Sequence, residues 1–294
     1  MNSPKVSERK PNPALNLQKG SSWTYKELEV RGVSLSGIYT CLTLPQFHLA
    51  FDVAQGFPFC LQMKTFFISH GHMDHAAGIP YIISQKAMHQ HPAPVFYMPE
   101  DLVEPLEVIM QQWMKIENHQ YQYHFKPLKA GDRVEVKPGF FVEALQTYHR
   151  VSSLAYCLIE TKKKLKVQYS HLHGGKIAEL KKNGVVVEDH SEKALFTFSG
   201  DTTSEFLKKS ERARQSQILA IESTYVDQSK TIEHAKKWGH THWDEILPMI
   251  PTLDCEKILV LHISSRYSTD YAQKKISEQL SSQDQERVVV FEGR

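Results

Sequence analysis

The sequence predicts an α/β fold of stacked sheet and helix layers. Three observations carry that expectation. Short apolar runs recur along the whole chain, longer helical patterns separate them, and no polar linker or short repeat divides the series. With 294 residues, 41% of them hydrophobic, the chain is long enough to bury a sizeable core.

Strands are expected where Val, Ile, Phe and Leu concentrate, over residues 28–33, 48–52, 64–69, 140–145, 154–159, 194–199, 218–222, 257–263 and 287–291. Helices are expected over 79–89, 102–115, 204–214, 242–250 and 269–279, the last opening after the N-cap residue Ser268. Met110 and Met114 should pack one face of the second helix into the core, and His89 and His91, at a helix end, should be solvated. Residues 1–20 are polar and lack an apolar signal core, so they read as a disordered tail, with residues 21–294 forming one domain.

The formal net charge of +2 selects no class of partner. No run approaches the roughly 20 apolar residues that span a bilayer, so a soluble protein is expected. Cys41, Cys60, Cys157 and Cys255 are widely spaced and form no C-x-x-C pair. They read as reduced thiols of a cytoplasmic protein, not as a disulfide framework or a thiolate zinc site.

The chemistry concentrates where the apolar run 64–69 enters His70-Gly71-His72-Met73-Asp74-His75. Four candidate ligands within six residues at a strand end must crowd into one small volume, and imidazoles mixed with a carboxylate suit zinc, with manganese or iron as substitutes. Gly71 is expected to let the backbone turn tightly between the first two histidines. Further candidates follow other strands: His149 after 140–145, Asp201 after 194–199, and His262 near the end of 257–263.

H-x-H-x-D-H resembles the metallo-β-lactamase superfamily. Ser199-Gly200-Asp201-Thr202, Glu222-Ser223-Thr224-Tyr225, Gly239-His240-Thr241 and His262-Ile263-Ser264-Ser265-Arg266-Tyr267 narrow the likeness to ribonuclease Z, the tRNA 3′-end processing endonucleases. The resemblance implies a four-layer αββα sandwich with two divalent metal ions at one edge. His70, His72 and His149 would bind one metal, Asp74, His75 and His262 the other, and Asp201 would bridge them. The cations would acidify a water that attacks phosphorus, and Asp74 would accept its proton. Asp52 would buttress the metal loop. Glu222 would orient His240 as the acid for the leaving group, although His242 stands where the family usually has a small hydroxyl residue. Arg266 and Tyr267 would contact substrate phosphate. The implied substrate is precursor tRNA, with a smaller phosphodiester such as a cyclic nucleotide or short oligonucleotide as the alternative. A homodimer is implied by likeness alone.

The long tRNA-gripping arm of the family is missing or reduced. In its place residues 162–190 should form a short lysine-rich projection, with Lys162, Lys163, Lys164 and Lys166 as RNA contacts beside the active site or, equally, as a solvated hairpin. His171-Leu172-His173 lacks a following Asp-His and is expected in an exposed loop.

Overall fold

The computed structural model describes residues 18–291 and 293. The expected tail therefore lies, but for residues 18–20, outside the described residues. The first sheet comprises β1 (Ser21–Tyr25), β2 (Leu28–Leu35), β3 (Tyr39–Leu44), β4 (Leu49–Phe51), β5 (Thr65–Phe67), β6 (Val95–Pro99) and β7 (His124–Leu128), side by side in chain order. The second comprises β8 (Arg133–Lys137), β9 (Phe140–Gln146), β10 (Leu154–Leu165), β11 (Glu188–Phe198), β12 (Ile218–Glu222), β13 (Lys257–Leu261) and β14 (Val288–Val290), also in chain order.

The two halves repeat one plan. Strands β1 to β4 and β8 to β11 pair antiparallel. Strands β4 to β7 and β11 to β14 pair parallel. Parallel neighbours need long crossovers, which here carry the helices onto the outer face of each sheet. Met73–Ala76, Ile79–Met88 and Glu100–Glu117 cover the first sheet, and Glu205–Lys209, Trp243–Ile246 and Thr269–Ser277 are among those covering the second.

Side-chain alternation along the strands builds three apolar layers. Phe51 and Phe67 point between the sheets against Tyr156, Phe196 and Phe198. Phe66 and Ile68 face the other way, onto Ile79, Ile82, Ile83 and Met110. Ala155 and Cys157 do the same in the second sheet, onto helices that bring Phe206, Trp243 and Ile276. The order is αββα, as the resemblance implies. No helix among the described residues is long and apolar enough to cross a membrane.

This plan delivers the carboxyl ends of β4, β5, β11, β12 and β13 to one edge, where open α/β sheets place their ligands. There the sheets are tied together: the His262 N–H donates to Ser34 Oγ at 2.9 Å, and the Ser36 N–H to the Ile263 carbonyl at 3.1 Å.

Two expectations need correction. The helix expected over 204–214 is two short helices, broken at Ser210, whose hydroxyl caps the second. The lysine segment is not beside the cluster of histidines. Strands β10 and β11 stay paired out to Leu165 and Glu188, so Lys162, Lys163 and Lys164 lie on an extended hairpin. Lys162 is eight residues along β10 from Leu154, about 26 Å of strand, at the end opposite His149 and Asp201. Lys162 and Lys166 also face Glu160 and Asp189 at 3.1 and 4.0 Å. His171 and His173 are exposed, as expected.

Candidate metal centre

His70 sits three residues beyond the end of β5, fully buried, and the short helix Met73–Ala76 follows at once, setting Asp74 and His75 on its first turn. The turn at Gly71 is made without a left-handed backbone, and what its position also requires is space, since a Cβ there would meet Leu102 Cδ2 at 2.8 Å. His149 arrives from the loop after β9, Asp201 from the turn after β11 and His262 from the end of β13.

Their donor atoms fall into two groups that share Asp201. In the first, His72 Nδ1 lies 3.0 Å from His70 Nε2 and 3.3 Å from His149 Nε2, with Asp201 Oδ2 3.6 Å from His70 Nε2. In the second, Asp74 Oδ2 lies 3.5 Å from His75 Nε2 and 3.4 Å from His262 Nε2, and the two Nε2 atoms are 3.4 Å apart. Asp201 Oδ1 completes that group at 3.3 Å from His75 and 3.4 Å from His262. Burial alone would raise the Asp201 carboxyl, but the imidazoles of His262, His75 and His70 outweigh it and hold the group well below the usual carboxylate range. Burial, aided by the neighbouring His75 ring, holds His70 well below its ordinary value, which favours the neutral imidazole.

The opposite nitrogen of four of these rings, those of His70, His75, His149 and His262, is engaged as well. The Nδ1 atoms of His75 and His149 meet Asp52 Oδ2 at 2.6 Å and the Gly239 carbonyl at 2.7 Å. Those of His70 and His262 meet Ser69 Oγ at 3.0 Å and Thr224 Oγ1 at 3.2 Å. Asp52 is buried in a left-handed backbone conformation and also accepts the N–H and hydroxyl of Ser69 at 2.6 and 2.7 Å, so one carboxylate braces the whole loop. The Gly37 N–H donates to Asp74 Oδ2 at 3.0 Å. Ser34, Gly37 and Ser69 carry no role in the sequence reading; Thr224 and Gly239 stand within the motifs Glu222-Ser223-Thr224-Tyr225 and Gly239-His240-Thr241 but are given no role of their own.

Beside the shared carboxylate, His240 Nδ1 lies 3.8 Å from Asp201 Oδ2 and donates to Glu222 Oε1 at 3.1 Å. Glu222 is buried and accepts four further bonds, from the N–H groups of Thr202, Thr224 and Thr241 and the hydroxyl of Thr224. Burial alone would lower His240, but Glu222 and Asp201 outweigh it and push the imidazole up to about 9. His242 is elsewhere in role: its Nδ1 accepts the Asp244 N–H as a helix N-cap and its Nε2 donates to the Asp227 carbonyl.

The beta-lactamase superfamily domain model matches residues 61–263, more than half of the chain. The chain belongs to the beta-lactamase superfamily. It is 29% identical over 263 residues to tRNase Z TRZ1 of Arabidopsis thaliana, covering 89% of this chain and 94% of that one. It is 30% identical over 158 residues to a nuclear ribonuclease Z of Triticum aestivum, 54% of this chain and 90% of the relative. The structure of human tRNase Z, short form, shares the fold with a TM-score of 0.55 at 16% identity, covering 80% and 92% of the two chains. Within the superfamily the chain is ribonuclease Z-like.

The superfamily fold implies divalent metal ions, and the side chains fit them. Asp201 Oδ1 is buried and accepts no hydrogen bond although two imidazoles approach it. Ligands 2.0–2.1 Å from a tetrahedral cation stand about 3.3–3.4 Å apart. The five measured separations in the second group run from 3.3 to 3.5 Å. Arg266 stands exposed, its guanidinium over the Tyr225 ring. Tyr267 is not brought to the cluster: it is buried and donates its hydroxyl to Asp227 at 2.9 Å.

Proposed function

We propose that this ribonuclease Z-like endonuclease removes the 3′ trailer of precursor tRNA, using two zinc ions for which manganese or iron can substitute. His70, His72 and His149 would hold one cation, Asp74, His75 and His262 the other, and Asp201 both. When bound, the pair polarises the phosphoryl oxygens, offsets developing charge and acidifies water. The chain supplies the rest. Asp74 takes a proton from the attacking water. Glu222 holds the His240 Nδ1–H, so that Nε2 presents a proton to the departing oxygen. Among the described residues Arg266 is hydrogen-bonded to Ser264 through Nε alone, which leaves its other N–H groups available for a phosphate.

The observation that carries the reading is the Glu222–His240 pair beside Asp201, an acid that phosphodiester cleavage needs for its leaving group. Similarity to a tRNase Z of Arabidopsis thaliana supports tRNA as the substrate. The helix Glu100–Glu117 buries Met110 alone and leaves Val108, Ile109 and Trp113 exposed, which supports a homodimer. Four unpaired thiols agree with a cytoplasmic setting. The test is cleavage of precursor tRNA by the metal-loaded protein, expected as a single cut at the trailer junction. Hydrolysis of a small chromogenic phosphodiester with no cut in any precursor tRNA would overturn the assignment.

A further inference from the structure

We infer that Trp238, backed by Arg150, is a base-stacking platform for the nucleoside whose oxygen departs; this rests on the reading of the site as an RNA phosphodiesterase. Both residues adjoin the chemistry in the chain: Arg150 follows His149, and Trp238 stands two residues before His240. The Arg150 guanidinium lies 4.8 Å from the centre of the Trp238 ring, yet Trp238 remains 46% exposed. The indole thus carries a cation against its ring and still keeps a large part of its surface in solvent.

The platform is held by its backbone. Trp238 N–H and His240 N–H both donate to the Ala235 carbonyl at 3.0 Å, and Gly239 N–H to Lys236 at 3.0 Å. Between the two side chains, Gly239 is left-handed and its carbonyl fixes His149. The same turn therefore sets the position of the acid, of one histidine of the centre and of the indole. A leaving group protonated by His240 must come to the turn that carries both His240 and Trp238, and Trp238 is exposed on that turn. Every base offers a π-face to such a ring, and a neighbouring guanidinium adds cation–π attraction, which gives grip without sequence preference.

The experiment uses metal-loaded wild type, Trp238→Ala and Trp238→Phe with an RNA cut by the wild type, in which bases near the scissile phosphate are replaced singly by abasic nucleotides. Product end groups identify the nucleoside that carried the departing oxygen. The abasic change there should raise the wild-type KM about tenfold and alter kcat far less. Trp238→Ala should show that rise on intact RNA and no further response to the abasic change, with normal metal content, and Trp238→Phe should recover most of it. Anisotropy with metal-free protein should show the same ordering of affinities. A wild type indifferent to that abasic change, or a Trp238→Ala protein as sensitive as wild type, would overturn the inference. Loss of metal by Trp238→Ala would also overturn it, by making the indole a prop for His149. A wild type that hydrolyses a chromogenic diester but no RNA would remove the functional reading and this inference with it.

Discussion

Glu222 accepts the Nδ1–H of His240 at 3.1 Å through the same oxygen that accepts the Thr241 N–H at 3.2 Å. A buried carboxylate thus fixes both the loop and the ring it carries, and the bond engages Nδ1 and leaves Nε2 for other chemistry.

His240→Ala should therefore lower kcat on RNA by about a hundredfold or more while two metal equivalents remain bound. His242→Ala should keep the activity and lose about 1 kcal/mol of stability, because it removes a helix N-cap. Rate measurements, elemental analysis and denaturant midpoints separate the two. The reverse pattern would make His242 the acid.

The parts of this centre that were legible in the sequence are those with a distinctive residue type at a strand end: His70, His72, Asp74, His75, His149, Asp201 and His262. Of their supports only the carboxylate of Asp52 was, because a hydroxyl or carbonyl becomes a partner only through packing. Ser34 meets His262 across 228 residues of chain, and no local pattern announces it. Of the strands that escaped notice, β1, β3, β6, β7 and β8, the last three have local causes. In β8, Arg-Val-Glu-Val-Lys, charged residues outnumber the two valines that alternate toward the core, and β6 and β7 contain prolines. The position of Lys162 depended on how far β10 stays paired, which composition does not encode.

Gly239→Ala should damage the centre without touching a donor. Gly239 has φ +78°, and a Cβ there would stand 2.7 Å from His149 Nδ1 and 3.0 Å from the Arg150 nitrogen. Expected are a fall in metal content from two equivalents toward one and a stability loss above about 1 kcal/mol. Gly184→Ala is the control, with φ +79° and nothing within 4 Å of the added carbon. It should show backbone strain and full metal content. Equal metal loss in both variants would mean that strain, not the displacement of His149, is responsible.

Asp227 sets a pH dependence away from the centre. Burial opposes its ionisation, but Ser229, Tyr271 and Tyr267 outweigh it and bring the carboxyl down to about 2. A depressed carboxylate contributes stability that is fully present above its unfolded value near 3.8 and is lost as pH falls through about 2. Asp227→Asn should lower the urea midpoint of metal-free protein at pH 6, by on the order of 1 kcal/mol after allowing for solvent screening. The gap should narrow between pH 4 and 2. A gap unchanged over that range would show that the loss is steric.

Metal removal should destabilise the protein as well as silence it. Asp201 Oδ1 has no hydrogen bond, and the rings of His75 and His262 face it at 3.3 and 3.4 Å with their other nitrogens already engaged. Without a cation, that buried carboxylate and those rings are only partly satisfied, which is costly in a low-dielectric interior. A cation at a hundred times its Kd adds about 2.7 kcal/mol to the folded state. In a chain of this size that corresponds to a melting shift on the order of 4–5 °C for each cation. Chelation should lower the melting temperature by that amount, and added zinc should restore both stability and cleavage. Asp201→Asn, which removes the shared charge, should abolish most of the response to zinc while leaving the metal-free protein folded. A melting temperature indifferent to chelator, in protein that retains full activity, would rule out a metal centre on these residues.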